Sequence, residues 1–133
     1  MYRMVKSIMI TPDGKYHEVS QEEETAAMRG RRYIGYGLQV PKTWEHKKLR
    51  LTVTMLDQFT PEDPPNSWAT VLFRKLYSNG GGVDDEIPGL VFISNETDNE
   101  VIDFTMEDFV YIWTRVILPK ELVFEYLCYV TYM

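Results

Sequence analysis

The chain has little of the chemistry from which disulfides, metal centres and catalytic sites are built. Among its 133 residues there are one cysteine and two histidines. The lone Cys128 excludes an internal disulfide and a cysteine-rich zinc site. No His-Glu-x-x-His or Gly-x-Ser-x-Gly spacing is present either. We therefore expect a protein that is not an enzyme, uses no cofactor and holds no metal.

Long apolar runs are also missing. The most apolar stretches, 110–118 and 122–133, are interrupted by Arg115 and Glu125. Neither reaches the ~20 residues that a membrane-spanning helix needs. The N-terminal segment has early positive charge but no small-residue cleavage site of the kind that ends a signal peptide. The sequence predicts no membrane contact and no secretion by a signal peptide, and hence a location in the cytoplasm or within a virus particle.

Apolar and aromatic side chains are plentiful. Hydrophobic residues make up 44% of the chain and aromatic residues 14%. This is enough apolar material to offset the entropy lost when a chain of this size orders. The length also suits one core better than two. Residues 1–133 are therefore predicted to form a single globular domain.

Short β-branched and aromatic segments, separated by turn signals, predict a mainly β fold. The turn from Thr11 to Gly14 supplies proline for a fixed φ and glycine for a positive φ, which predicts a hairpin. One short helix is expected near residues 20–29, with Ser20 capping its first turn and Gly30 ending it. Strands are expected at 2–10, 15–19, 33–40, 49–56, 68–77 and 90–93.

The last third of the sequence is compatible with two folds. Residues 109–118 and 122–132 are rich in strand-forming side chains, and a pair of strands there favours an antiparallel β-sandwich or a jelly-roll-like domain. Apolar residues at Phe109, Ile112 and Trp113 also fit helical spacing, with Thr105 as a cap. That alternative predicts an α+β fold with C-terminal helices. We favour the strands.

Charge is distributed unevenly along the chain. The net charge is −6, yet residues 1–50 contain ten Lys or Arg against six Asp or Glu, and the remainder contains four against fourteen. Opposite charges on different faces can steer copies of one protein into contact, or steer a charged partner to one end.

One basic cluster is a candidate interaction patch. Arg29, Arg31 and Arg32 surround a glycine and are followed by Tyr33. Arginines beside an aromatic ring can bind phosphate and stack on a base. The acidic character of the whole chain and the lack of any nucleic-acid-binding motif disfavour that use. We predict instead that the patch contacts protein.

Two functional hypotheses follow. The first is a non-enzymatic structural or assembly protein, such as a component of a viral or phage particle, acting through contacts with itself or neighbouring subunits. The second is a small inhibitory binding protein, in host defence or as a nucleic-acid mimic, that captures a basic partner. Its candidate surface is the acidic loop containing Asp84, Asp85 and Glu86.

Overall fold

The computed structural model describes residues 4–39, 50–76, 86–97 and 100–114. These ranges contain six strands and three helices. In chain order the elements are β1 (Lys6–Ile10), β2 (Tyr16–Ser20), α1 (Gln21–Met28), β3 (Tyr33–Gln39), β4 (Arg50–Leu56), α2 (Ser67–Leu76), β5 (Val91–Thr97), β6 (Glu100–Ile102) and α3 (Met106–Ile112).

All six strands belong to one antiparallel sheet, so the described chain is mainly β with short helices. The strand order is β2-β1-β5-β4-β3, and β6 pairs with the end of β5. The register places Ile8 of β1 beside Ile93 of β5, which in turn lies beside Val53 of β4. A sandwich or jelly roll requires a second sheet, and none is present within the ranges that the structure describes.

The main core lies on one face of this sheet, under α2 and α3. Ile8, Val53 and Ile93 are fully buried there and pack with Leu72 of α2 and Ile112 of α3. Because side chains alternate along a strand, the residues next to Ile8, Val53 and Ile93 in their strands point to the opposite face, where α1 lies. No helix in the described part of the chain is long and apolar enough to cross a bilayer.

The N-terminal hairpin and the first helix are confirmed. Gly14 ends the predicted turn with φ +85°, and β2, which begins at Tyr16, pairs with β1. The Ser20 side chain accepts a hydrogen bond from the backbone N–H of Glu23 at 3.3 Å, as expected of an N-cap. Gly30 follows the helix with φ +79°. Strands are also found where they were predicted around 33–40, 49–56 and 90–93.

The strand predicted at 68–77 is wrong, because this segment forms α2. Its aromatic and β-branched residues favoured a strand, but Ala69, Leu72 and Phe73 recur at helical spacing and are all buried. The side chain of Asn66 accepts a hydrogen bond from the Ala69 N–H at 3.1 Å and so caps the first turn. Packing against the sheet outweighs the local preference for β structure.

The prediction of a strand beginning at residue 109 is also wrong, because Phe109 and Ile112 lie in α3. Thr105 and Asp108 cap this helix reciprocally: the Thr105 hydroxyl accepts from the Asp108 N–H, and the Asp108 carboxylate accepts from the Thr105 N–H. For this segment the helical alternative is correct. The strand predicted at 122–132 lies outside the described residues.

Candidate functional site

The strand β3 forms one border of the sheet and has an unusual composition for that position. Its sequence, Tyr-Ile-Gly-Tyr-Gly-Leu-Gln, contains neither charge nor proline. Within the described ranges only β4 pairs with it. Border strands normally carry charges, prolines or bulges that prevent pairing with another chain. Within the described part of the chain, this seven-residue strand carries none of these devices.

Two apolar side chains of β3 are exposed on the face that also bears the core. Ile34 has a relative exposure of 38% and Tyr36 one of 39%. The Tyr36 ring lies edge-on to Phe73 of α2, with ring centroids 5.7 Å apart and planes at 72°. Such contacts restrict an aromatic ring, so Tyr36 presents its exposed side in a defined position.

Gly37 of β3 has room for a side chain. No described atom lies within 4 Å of a Cβ built at this position, and its φ is not positive. Neither backbone conformation nor packing within the described chain therefore explains a glycine here. Glycine in a strand often marks a place where another backbone approaches closely.

The opposite border of the sheet, β2, is different. It has five residues, and it includes the exposed His17 and Glu18. The Glu18 carboxylate lies 3.4 Å from the Lys6 ammonium and accepts a hydrogen bond from the Met106 N–H at 2.9 Å. Charged side chains and the first residue of α3 thus lie at this border. Of the two borders, β3 is the one suited to pairing.

The predicted basic patch is largely engaged in ion pairs. Arg31 Nη2 lies 2.8 Å from Asp63 Oδ2, and Arg32 Nε lies 2.9 Å from Asp57 Oδ2. The hydrogen bond from Arg31, together with the N–H of Thr60, lowers the pKa of Asp63. These contacts tie the start of β3 to the loop that follows β4.

The other members of the basic patch lie nearby. Arg29 is the exposed C-cap of α1. Tyr33 is half-buried, with its ring centroid 6.0 Å from that of Phe92, and burial raises the pKa of its hydroxyl. In the predicted patch, Arg31 and Arg32 are thus paired to carboxylates, whereas Arg29 is exposed and Tyr33 is half-buried.

Of the predicted acidic loop, only Glu86 belongs to the described residues. It is exposed and accepts a hydrogen bond from the Ser67 hydroxyl at 3.2 Å. Asp84 and Asp85 lie outside the described ranges, as do His46 and Cys128. Among the residues that are described, no three His, Cys, Asp or Glu side chains are grouped as metal ligands.

Two surface cavities are lined by described residues. The larger, about 260 Å³, lies beside the proline-rich loop between β4 and α2 and is lined by residues that include Phe59, Pro61 and Pro88. The smaller, about 160 Å³, lies between α1 and the sheet and includes Ser7, Glu24 and Ser94 among its lining residues. The sequence gives only a weak signal for the smaller cavity: Glu24 and Met28 share one face of α1, but acidic residues in the first turn of a helix are also expected from their favourable interaction with the helix dipole.

Comparison with known proteins adds nothing to this picture, because no protein-family model, curated protein or solved structure matches the chain.

Proposed function

We propose that this chain is a non-enzymatic assembly protein whose copies associate through β3. The observation that carries the proposal is a seven-residue border strand without charge or proline, which leaves Ile34 and Tyr36 exposed. A viral or phage particle is the setting proposed from the sequence for such a subunit. The occupant that we propose for this border is a second copy of the same chain.

Two copies of β3 can pair antiparallel about a two-fold axis. In such an interface each residue meets its counterpart reciprocally, and both strands gain the hydrogen bonds that their outer edges lack among the described residues. Ile34 and Tyr36 of one copy would then lie beside apolar side chains of the other, where cross-strand aromatic and β-branched pairs are stabilising. The pairing extends one sheet and does not require the sandwich or jelly-roll arrangement.

The proposal is tested by adding charge to each border of the sheet in turn. Gly37→Lys introduces a charge on β3 where no described atom would be displaced. His17→Lys is the matched control on β2, where the native side chain is already exposed. Size-exclusion chromatography with light scattering over a range of concentrations gives the mass of each species. Thermal melting confirms that both variants remain folded.

The wild type and His17→Lys are expected to form species heavier than the 15.6 kDa chain. Gly37→Lys is expected to remain at the monomer mass, because a charged side chain on a border strand disfavours pairing with another chain. Wild-type protein that stays monomeric at every concentration overturns the proposal. An equal effect of both substitutions overturns the assignment to β3.

The inhibitory-protein hypothesis makes a different prediction for the same measurements. A protein that captures a basic partner through Asp84, Asp85 and Glu86 would be a monomer by itself. Its complex would weaken steeply with salt, because exposed charges are screened beyond a Debye length. Gly37→Lys would then leave its binding unchanged.

A further inference from the structure

The smaller cavity lies on the face of the sheet opposite the main core, beneath α1. Its volume is about 160 Å³. Its polar lining comes from four elements, because β1, α1, β4 and β5 each contribute at least one side chain. These side chains include Ser7, Glu24, Thr54, Ser94 and Glu96. This site is separate from the border of β3 and does not depend on assembly.

The polar groups of the cavity are incompletely satisfied. The residue Ser7 is 2% exposed, and its hydroxyl donates a hydrogen bond to Glu24 Oε2 at 2.6 Å. Among the described residues, Glu24 Oε1 has no hydrogen-bond partner. Ser94 is only 8% exposed and likewise has no partner within the described ranges, although it lines the cavity. A hydroxyl that lines a cavity and has no partner in the described chain can bond with a group that enters the cavity.

The electrostatics of the cavity favour a positively charged occupant. Two carboxylates, Glu24 and Glu96, line it, and no lysine, arginine or histidine is among its lining residues in the described chain. Burial raises the pKa of Glu24 and the charge of Glu96 raises it further, whereas the hydrogen bond from Ser7 opposes the shift. A partly buried carboxylate with no cation beside it among the described residues is stabilised by any positive group that reaches it.

We infer that this cavity binds the ammonium group of a ligand about as large as one lysine side chain. An ammonium group has three N–H donors, and side-chain oxygens that can accept from it line the cavity on α1, β4 and β5. The volume is well below the ~300–1,000 Å³ that is typical for larger ligands. Val5, Met28 and Val101 supply apolar walls for an alkyl chain.

Titration with n-butylammonium, followed by amide NMR shifts, tests the inference. We expect saturable shifts centred on Ser7, Glu24 and Ser94. Tetramethylammonium has the same charge but no N–H donor, and it should bind at least roughly tenfold more weakly, since it cannot make charge-assisted hydrogen bonds to the lining oxygens. A peptide with blocked ends and one lysine distinguishes the source of the ligand: binding of the peptide alone indicates a protein partner, whereas binding of butylammonium indicates that a free amine is sufficient.

Two substitutions with the same charge change serve as a matched pair. Glu24→Gln should weaken butylammonium binding by roughly tenfold or more, because it removes the charge in contact with the ligand. Glu22→Gln, on the exposed part of the same helix, should leave it nearly unchanged. Ser94→Ala should also weaken butylammonium binding. Equal losses in the two glutamine variants, equal affinity for tetramethylammonium, or no saturable binding of either amine source would overturn the inference.

Discussion

Asn66 joins three parts of the fold, and Asn66→Ala is expected to reduce the free energy of unfolding by about 3–5 kcal/mol. The residue is fully buried. Its side-chain N–H₂ donates to the carbonyls of Ile10 at 2.9 Å and Gly89 at 2.8 Å, and its Oδ1 accepts from the Ala69 N–H at 3.1 Å. One side chain thus connects β1, the segment before β5, and the first turn of α2.

The magnitude follows from the groups that lose their partners. Alanine would leave two carbonyls and one N–H of this buried site without a hydrogen bond. Each such group costs about 1–3 kcal/mol. Water that enters the vacated space recovers part of this cost, so we use about 3–5 kcal/mol, the lower part of the sum. With an unfolding entropy of about 2.1 cal/mol/K per residue, the melting temperature should fall by roughly 10–18 °C.

Urea unfolding followed by tryptophan fluorescence measures the change. Ser67→Ala is the control, because this neighbouring hydroxyl makes only an exposed bond to Glu86, and its loss should stay within about 0.5 kcal/mol. Asn66→Asp retains an acceptor for the α2 cap but removes both donors, so it should also be strongly destabilised at neutral pH. A loss below about 1 kcal/mol for Asn66→Ala would refute the reasoning, since it would mean that the three bonds have ready substitutes.

Two further predictions concern ionisation, and thermal melts across pH check both. Glu24→Gln should raise the melting temperature at about pH 7. The pKa of Glu24 is raised in the folded state, so the ionised carboxylate destabilises the fold once the pH exceeds that pKa, and glutamine removes this cost. The gain should vanish below the ordinary glutamate pKa, where the carboxyl is protonated in both the folded and the unfolded state. Arg31→Ala should lower the melting temperature at neutral pH. Because Arg31 lowers the pKa of Asp63, that loss should disappear as pH falls through the folded-state pKa. A pH-independent effect of either substitution would contradict its assignment.

The elements that sequence patterns predicted are those with strong local signals. The hairpin turn ends in Gly14, α1 has its cap at Ser20, and β4 alternates buried and less buried residues. The α2 segment was missed because its aromatic and β-branched residues satisfy strand preferences as well. Its helical state depends on the Asn66 cap and on the apolar surface supplied by the sheet. Such tertiary contacts override local preference.

The candidate sites depend even more on distant contacts. The sequence predicted a strand at β3, but only the strand order shows that it lies at a border and leaves Ile34 and Tyr36 exposed. The cavity under α1 requires Glu24 to meet Ser94, which lies on the central strand of the sheet. Neither arrangement leaves a periodic pattern in the sequence.

The central position of β5 has a consequence for biosynthesis. The ribosome completes β1, β2 and α1 early, and these can form a local hairpin and helix, but β1 finds its second neighbour only when residues 91–93 have been made. The inner sheet cannot close before then, and non-local strand pairing of this kind slows folding. The inner edge of β1 therefore lacks its β5 partner while residues 11–90 are being made, a period in which chaperone binding would protect the nascent chain from aggregation.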